Sequence, residues 1–253
     1  MLDVSIVLCT NRIDAQFYRA IESLLKQNFD SFEIIIVLNG DAGDLLDSII
    51  DGFSMHPRIK VISSDISYLN HSLNLGVEHA VGKYIARMDA DDISYPNRLS
   101  VQFDFLENNP EIAVCGSWFT LIDSKDAPFE TVKLPTDDAA IRRAAFSRNP
   151  MCHPTVMFRR EAVAKAGGYL GGLYAEDYDL WLRLMNTDGI RFANIPEVLL
   201  GYRAVPGGVA RRSALAYASV AGAQWGAFVR GGDPRWLMSA LLTFAKRWLF
   251  ARR

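Results

Sequence analysis

The chain has 253 residues, half of them hydrophobic, and a formal net charge of −2. This length and composition predict one large α/β domain with a sizeable core and a smaller extra segment. The charge is uneven, because residues 206–253 carry a net +7 and the remainder a net −9. An acidic body argues against general nucleic-acid binding by the body, and a basic tail indicates a local anionic contact.

The three cysteines, Cys9, Cys115 and Cys152, are far apart and form no CxxC pair. The sequence therefore predicts neither a disulfide framework nor a zinc site, and a reducing cytoplasm is the simplest setting. The first 13 residues lack the basic lead and cleavage pattern of a signal peptide. No apolar run reaches the roughly 18 residues that a membrane-spanning helix needs.

The first 90 residues alternate between buried strands and amphipathic helices. Strands are predicted over residues 4–9, 33–38, 59–62 and 84–88, and helices over residues 44–51, around residues 17–25 and around residues 69–80. This alternation predicts a mostly parallel sheet with right-handed crossovers. Ligands of such sheets bind beyond the carboxyl ends of the strands, where Thr10, Asn39 and residues 89–92 fall. The glycine-rich dinucleotide fingerprint and the phosphate loop are both absent.

The strand at residues 84–88 runs directly into an acidic cluster, Asp89, Asp91 and Asp92. Residues i and i+2 of an extended backbone point the same way, so Asp89 and Asp91 can direct their oxygens to one spot. Such ligands suit Mg²⁺ or Mn²⁺, and Mg²⁺ is usually held by one or two carboxylates together with substrate phosphates. The alternative is a solvated acidic turn that caps a helix opened by Pro96.

The second half combines further strands with an acidic helix start. Strands are predicted over residues 112–122, 155–158, 190–195 and 198–202, a turn-rich connection over residues 123–135, and a helix over residues 136–146. Glu176, Asp177 and Asp179 open a helix that is apolar around much of its girth, so the helix should be buried. The helix dipole alone favours acids at this position, which leaves a purely structural role open.

The tail is predicted to end in a basic amphipathic helix over residues 234–251, with leucines, Phe244 and Trp248 on one side and Arg235 and Lys246 on the other. Such a helix can lie on an anionic bilayer. It can equally pack its apolar face on the catalytic domain or on a second subunit.

Six stretches together resemble the family 2 glycosyltransferases, inverting enzymes of the GT-A fold. In chain order they are SIVLCTNR, EIIIVLNGD, SLNLGVEHAVGKYIARMDADD, CHPTVMFRRE, AEDYDLWLRLM and IPEVLLGYR. The resemblance implies a catalytic domain at residues 1–205, with a Rossmann-like nucleotide-sugar half (1–110) and an acceptor half (111–205). Residues 206–253 would form a C-terminal helical extension.

For the donor side, the resemblance implies a pocket that binds the nucleoside diphosphate. Thr10 and Asn39 would line the base and ribose pocket, and Arg12 would lie near the phosphates. Asp89 would contact the ribose or the metal's water shell, and Asp91 would be the direct ligand of Mg²⁺ or Mn²⁺. Three further positions are predicted to contact the donor: Asn11, Asn74 and Arg203.

For the acceptor side, the resemblance implies that Asp177 is the general base, because a hydroxyl is a poor nucleophile at neutral pH. Glu176 and Asp179 are possible substitutes, and Glu176 is the better candidate for an acceptor-binding or supporting residue. His153 and Trp181 are further candidates for acceptor contacts, although a tryptophan in such a helix is more often part of the core.

Two departures from the family pattern stand out. Many relatives have Asp where this chain has Asn39, and many carry a histidine shortly after the Tyr202-Arg203 pair, where this chain has Ala204. The expected function is a metal-dependent inverting transferase that uses a nucleoside-diphosphate sugar, most simply a UDP-sugar, to modify a glycan or lipid-linked acceptor. It would contribute to surface polysaccharide or glycolipid synthesis, in the cytoplasm or peripherally at the inner face of the cell membrane. A nucleotidyltransferase and a non-catalytic binding module are the alternatives.

Overall fold

The computed structural model describes residues 2–40, 53, 56–207 and 213–250. The helix predicted over residues 44–51 lies outside the described residues. The other predicted helices and strands of the first half are present. The sheet of this half contains β1 (Val4–Thr10), β2 (Phe32–Asn39), β3 (Ile59–Ser64) and β4 (Tyr84–Asp89), and the helices are α1 (Ala15–Leu25) and α2 (Leu69–His79).

These four strands are parallel and stand in the order β3-β2-β1-β4. Their continuous apolar runs suit a sheet that is covered on both faces. Helix α1 is capped by Asp14, whose side chain accepts hydrogen bonds from the N–H groups of Gln16 and Phe17. On β1, Ile6 and Leu8 belong to the apolar layer with α1, and Val7 belongs to the opposite layer with α2.

The second half completes one nine-stranded sheet. Its elements are β5 (Ile93–Ser94), α3 (Arg98–Asn108), β6 (Ile112–Ile122), β7 (Pro128–Val132), α4 (Asp138–Ala145), a 3₁₀ turn (His153–Thr155), β8 (Met157–Arg159), α5 (Arg160–Lys165), α6 (Glu176–Met185) and β9 (Arg191–Arg203). Strand β8 lies antiparallel between β4 and β6, and β9 lies parallel to β6. The short β8 therefore joins the two halves into one sheet, with β6 and β9 forming its long second part.

Several boundaries differ from the prediction. The two strands expected over residues 190–202 are one strand, β9, whose pairing with β6 contains irregularities. The turn-rich stretch before Pro135 contains β7, which forms a hairpin with β6. Helix α3 begins at Arg98 rather than at Pro96, because the residues before it pair with β9 as the short strand β5. Local propensity could not reveal pairings that depend on a distant strand.

The C-terminal segment forms two helices, α7 (Ala214–Gly231) and α8 (Pro234–Phe250). Gly232 ends α7 with a φ of 69° and donates its N–H to the carbonyl of Phe228 at 2.7 Å. Helix α7 packs on α6, where Ala223 and Ala227 share a core cluster with Tyr178 and Leu182. Helix α8, for which the two roles were expected, packs Trp236 on Phe146, whereas Leu241 and Leu242 of its predicted apolar face stay exposed. No helix in the described part of the chain is long and apolar enough to cross a membrane.

Candidate active site

Polar residues gather at the carboxyl edge of the parallel strands, as predicted. Thr10, Asn39 and Asp89 are the last residues of β1, β2 and β4. The register brings them together, because Cys9 pairs with Asp89 across β1 and β4, and Thr10 pairs with Leu38 across β1 and β2. The sheet therefore fixes the positions of these three side chains before any ligand binds.

Asp89 forms an ion pair with Arg87, which lies two residues earlier on the same face of β4. The Arg87 side chain is only 5% exposed. Burial is the largest influence and would lower the pKa of Arg87, but the interactions with Asp89 and Cys9 together outweigh burial and raise the pKa. Arg87 is thus a permanent buried cation beneath the acidic cluster.

Asp91 and Asp92 follow at the strand end, and within the described part of the chain neither carboxylate forms an ion pair as close as that between Asp89 and Arg87. The Asp91 side chain is 39% exposed, and its Oδ2 lies 3.8 Å from Nη2 of Arg12. Burial and then the nearby Asp89 raise the pKa of Asp91. Asp92 is buried; its Oδ1 accepts the N–H of Arg203 at 2.8 Å, and its Oδ2 has no hydrogen-bond partner among the described residues. Burial and repulsion by Asp89 and then by Asp91 raise the pKa of Asp92 well above its usual value.

This crowding of carboxylates fits a divalent cation. The described residues contain no group of three or more His, Cys, Asp or Glu side chains arranged to hold a metal ion. A cation here would therefore depend on one or two carboxylates and on substrate phosphates, which is the usual arrangement for Mg²⁺. Asp91 is the better placed ligand, since Asp89 is already paired with Arg87.

The capping alternative for the acidic cluster is wrong. Helix α3 begins only at Arg98, and its capping residue, Asn97, makes no side-chain capping hydrogen bond. Strand β5 lies between the acids and that helix. The acids therefore need another explanation.

The second acidic group, Glu176 and Asp177, opens α6 as predicted. Asp177 accepts the Tyr178 N–H at 2.7 Å through Oδ1 and the Asn149 side-chain amide at 2.6 Å through Oδ2. Burial raises the pKa of Asp177, although these two hydrogen bonds oppose the rise. Burial and the charge of Asp177 raise the pKa of Glu176 to about 7. Both carboxyl groups are thus shifted toward the pH range where a general base works well.

One open cleft of about 440 Å³ brings the two acidic groups together. It is lined by Leu69, Arg87, Asp89, Phe119, Leu134, Asn149, Met151, Cys152, His153, Pro154, Glu176, Asp177 and Tyr202. His153 in this cleft shares a hydrogen bond of 3.0 Å with the Tyr169 hydroxyl. Burial, and then the charge of Arg87, keep the pKa of His153 well below its usual value. His153 is therefore neutral and available only for a neutral contact.

The other predicted donor residues surround the strand ends. Thr10 is nearly buried, and its hydroxyl donates to the Arg12 carbonyl at 2.6 Å in a tight turn. Asn11 and Arg12 are exposed on that turn, and Asn39 is partly exposed at the end of β2. The structure thus brings these four residues to the same edge as the acidic cluster.

Three predicted substrate contacts do not fit the structure. Trp181 is completely buried in the core, so it cannot form a surface for a sugar. The Asn74 amide is occupied by both backbone groups of Tyr169, at 2.8 and 2.9 Å. The Arg203 guanidinium is only 7% exposed; it donates to the Asp91 carbonyl at 2.6 Å and also binds the Asp123 carbonyl and Asp126.

Asp179 also has a structural role. It forms an ion pair with Arg183 one turn later at 2.7 Å and is nearly buried, which removes it as a substitute base. Arg183 in turn donates to the Gly168 carbonyl at 2.6 Å. This pair therefore ties the loop before α6 to the helix.

Two residues of the cleft were missed at the sequence level. Arg87 interrupts the apolar run of β4, and a charged residue in a buried strand needs a partner, which was a usable signal for its pairing with Asp89. Asn149 lies between Arg148 and Pro150 in a helix break, and nothing local connects it with Asp177. Only the fold shows that Asn149 holds the proposed base.

Comparison with curated proteins finds relatives that are all named as glycosyltransferases. The O-antigen biosynthesis glycosyltransferase WbnJ of Escherichia coli is 32% identical over 96% of this chain and 95% of its own length. The amylovoran biosynthesis glycosyltransferase AmsE of Erwinia amylovora is 34% identical over 81% of this chain and 76% of its own. An E. coli UDP-Gal:α-D-GlcNAc-diphosphoundecaprenol β-1,3-galactosyltransferase is 28% identical over 79% of this chain and 72% of its own.

Solved structures agree on the fold. TarS of S. aureus in complex with UDP-GlcNAc superposes with a TM-score of 0.70 at 15% identity, covering 97% of this chain and 72% of that one. The mannosyltransferase PcManGT of Pyrobaculum calidifontis, with GDP-Man and Mn²⁺, gives 0.69 at 16% identity, covering 98% and 74%. The predicted GT-A type α/β fold is confirmed. A family profile described as "Glycosyl transferase family 2" matches residues 5–167, and the similarity to WbnJ extends over nearly the whole chain. This chain therefore belongs to that family of glycosyltransferases.

Proposed function

We propose that this enzyme transfers a sugar from a nucleoside-diphosphate donor, with UDP as the expected nucleotide, to a hydroxyl of a glycan or lipid-linked acceptor, with inversion at the anomeric carbon. The single observation that carries the proposal is that one cleft is lined by both Asp89 and Asp177. One acidic group suits a cation-bound diphosphate, and the other suits a hydroxyl that must lose a proton.

On the donor side, Asp91 would hold Mg²⁺ or Mn²⁺, and Thr10, Asn11 and Asn39 would border the nucleoside. A bound divalent cation supplies positive charge to the diphosphate as the leaving group becomes more negative. Arg12 is exposed near Asp91 and can add a second positive charge there. Burial and repulsion between the acids raise the pKa values of Asp91 and Asp92, and a bound cation would relieve that repulsion.

On the acceptor side, Asp177 would take the proton of the attacking hydroxyl. The acceptor oxygen forms a bond to the anomeric carbon as the bond from that carbon to the diphosphate oxygen breaks, and the leaving nucleoside diphosphate keeps the electron pair. Attack from the face opposite the diphosphate inverts the configuration. Asn149 would fix the Asp177 carboxylate through the 2.6 Å hydrogen bond, and Glu176 and His153 line the cleft with it.

The relatives support a role in surface polysaccharide synthesis, since two are named for O-antigen and amylovoran biosynthesis. The galactosyltransferase relative uses a UDP-sugar and a diphosphate-linked lipid acceptor. We extend both features, a UDP-sugar donor and a lipid-linked acceptor, to this chain as part of the proposal.

Donor binding tests the proposal directly. Calorimetry would measure the Kd of UDP-, GDP- and dTDP-sugars with and without Mn²⁺, on the wild type, Asp91→Asn and the exposed control Asp188→Asn. We expect one nucleotide sugar to bind in a metal-dependent way, with the Kd raised more than about tenfold in Asp91→Asn and unchanged in the control. If no nucleotide sugar binds, the chain is a non-catalytic module.

A lipid-linked acceptor also requires access to a membrane, and α8 carries a suitable face. Its inward residues are Trp236, Ser239, Ala240 and Thr243, each at most 8% exposed, and its outward residues include Met238, Leu241 and Leu242, each at least 58% exposed. The exposed apolar stripe lies on a tail with a net charge of +7. We therefore assign this stripe to the surface of an anionic bilayer.

Vesicle sedimentation tests the bilayer assignment. Phosphatidylcholine vesicles with phosphatidylglycerol should bind the wild type and the control Ile66→Gln/Val81→Gln, which changes apolar residues of similar exposure elsewhere. Leu241→Gln/Leu242→Gln should bind about tenfold more weakly, because two apolar side chains no longer enter the bilayer. Equal binding of both double variants would exclude the α8 stripe as the membrane surface.

A further inference from the structure

A second cavity, of about 480 Å³, adjoins the cleft at Asp177. The two cavities share Asn149 and Asp177. The remaining lining residues of the second cavity are Ser147, Arg148, Tyr174, Tyr178, Ser213, Ala216, Tyr217, Val220, Gln224, Thr243 and Lys246. They come from the segment after α4, from the start of α6 and the loop before it, and from the two C-terminal helices. A ligand in this cavity would therefore lie next to the proposed base, Asp177.

The charged residues that line this cavity are two cations and the base itself. Arg148 directly precedes Asn149, the residue that holds Asp177, and Lys246 lies on α8. Both side chains are exposed, and no ion pair is formed by either one among the described residues. Apart from Asp177 at the boundary, no acid lines the cavity. The cavity is thus suited to an anion whose neighbouring hydroxyl faces Asp177.

A buried amide indicates that the cavity is built for a polar ligand. Gln224 is 1% exposed, and its Nε2 donates to the Tyr178 hydroxyl at 3.1 Å. Its Oε1 has no hydrogen-bond partner among the described residues. An unpaired buried acceptor costs free energy, and a ligand hydroxyl or a bridging water in the cavity would satisfy it.

The position of Lys246 connects the cavity with the apolar stripe of α8. Lys246 lies one turn after Leu242, which belongs to the outward stripe, and three residues after the inward Thr243, which lines the cavity with it. A lipid whose chain lies against the stripe would therefore place its first polar group next to Lys246. Phosphates are the anionic groups found at that depth of a bilayer, and Lys and Arg bind them strongly.

We infer that the second cavity is the acceptor subsite and that Arg148 and Lys246 bind the phosphate or diphosphate that joins the acceptor sugar to its lipid. This inference rests on the proposed function, because it uses Asp177 as the base. The sugar would lie between the two cations and Asp177, with one hydroxyl directed to the carboxylate. The lipid chain would leave the cavity along the outward face of α8.

Calorimetry with a simple probe tests the inference. Farnesyl diphosphate would be titrated into the full chain saturated with UDP and Mn²⁺, so that the donor subsite is filled. We expect binding to the wild type, and a Kd at least about tenfold higher for Arg148→Gln/Lys246→Gln, since each cation contributes a charge-assisted contact. The matched control Lys60→Gln/Arg191→Gln removes the same charge from exposed positions outside both cavities and should bind like the wild type.

Two further titrations identify the ligand's source. Farnesol should bind weakly and equally to all three proteins, because it lacks the anion. Inorganic diphosphate should bind more weakly than farnesyl diphosphate; equal affinities would overturn the lipid-linked assignment in favour of a free diphosphate. An unchanged farnesyl diphosphate Kd in Arg148→Gln/Lys246→Gln would overturn the subsite altogether.

Failure of this inference is distinguishable from failure of the proposed function. Donor titrations on the same protein samples report the strand-end site alone. Metal-dependent binding of a UDP-sugar with no dependence of the probe on Arg148 and Lys246 would reject only the acceptor subsite. Loss of donor binding in the wild type would reject the proposed function itself.

Discussion

The two cavities that meet at Asp177 are built from different kinds of structure. The first cleft lies at the carboxyl edge of the parallel strands, where backbone pairing between β1 and β4 sets the position of Asp89. Its other polar residues include Asn149, Glu176 and Asp177. The second cavity is lined mainly by helices α6, α7 and α8. Strand ends are fixed by the sheet, whereas helix faces depend on side-chain packing.

The two cavities also differ in how much of each lies within the part of the chain that the family profile covers. The family profile ends at residue 167, so it covers the strand-end acids and omits α6 and both C-terminal helices. The proposed donor site thus lies in the part of the chain that the family profile covers, and the proposed acceptor subsite lies largely outside that part. Loops and helices added to a fixed scaffold are a common source of substrate specificity.

The largest effect is expected at the boundary between the two cavities. Asp177→Asn keeps the shape of the side chain but removes the group that would accept the hydroxyl proton. Transfer to an acceptor should fall by about 10²–10⁴-fold, with the donor Kd unchanged, because Asp177 does not contact the proposed diphosphate site. Steady-state transfer assays and donor calorimetry measure the two quantities separately.

The exposed Asp188→Asn variant is the control for that substitution and should transfer at the wild-type rate. A full transfer rate in Asp177→Asn would assign the base role elsewhere, and Glu176 would be the next candidate. A joint loss of donor binding and transfer would instead show that the two cavities are not independent.

A second prediction concerns Arg203, whose buried side chain contacts the acidic cluster of the proposed donor site. Its bonds to Asp91, Asp123 and Asp126 join the acidic cluster to the β6–β7 hairpin. Arg203→Lys keeps the charge but loses the forked geometry, so it should reduce the free energy of unfolding by about 1.5–3 kcal/mol. Thermal and urea unfolding measure this change, and Arg191→Lys, at an exposed position, should stay within about 0.5 kcal/mol of wild type.

The same variant separates two roles of Arg203. If the guanidinium contacts the donor diphosphate, as the sequence suggested, Arg203→Lys would weaken donor binding and leave the unfolding temperature unchanged. A lower unfolding temperature with moderate loss of donor affinity is the result that the buried contacts predict.

The donor side was the more predictable one because its signals are local. Buried parallel strands are recognisable as apolar runs, and the polar residues that follow such runs must meet at one edge of the sheet. Thr10, Asn39 and Asp89 could therefore be placed together from the sequence. The helix start at Glu176 and Asp177 was equally visible as an acidic turn before an apolar helix.

The remaining parts depend on contacts between distant segments. The sequence near Arg203 does not show that residues 123–126 of a hairpin would enclose its side chain. The sequence near Trp181 does not decide whether its side chain lies in the core or forms a surface for a sugar. Arg148, Gln224 and Lys246 come from three different elements, so no local pattern joins them. The second cavity exists only because α7 packs on α6 through small residues such as Ala223 and Ala227.

The smallest expected effect is a change in the stability of the protein with pH, caused by the ionisation of Glu176 next to Asp177. The pKa of Glu176 is raised from 4.5 to about 7 by burial and by Asp177, so the folded chain keeps this proton at pH values where the unfolded chain has released it. Stability should therefore decline as the pH rises from 4.5 to about 7. Glu176→Gln is neutral throughout and should unfold at a higher temperature than wild type at pH 8, with no such gain at pH 4.

Scanning calorimetry of the ligand-free proteins measures this difference, and the exposed Glu161→Gln should give no gain at either pH. An equal gain for Glu176→Gln at both pH values would mean that packing, and not charge, is responsible. A gain confined to high pH would show that the enzyme keeps two carboxyl groups close together at a cost in stability, as expected where one of them must accept a proton. The strand-end acids lie by contrast above the buried cation Arg87, so the two sides of the cleft would differ in electrostatics as well as in architecture.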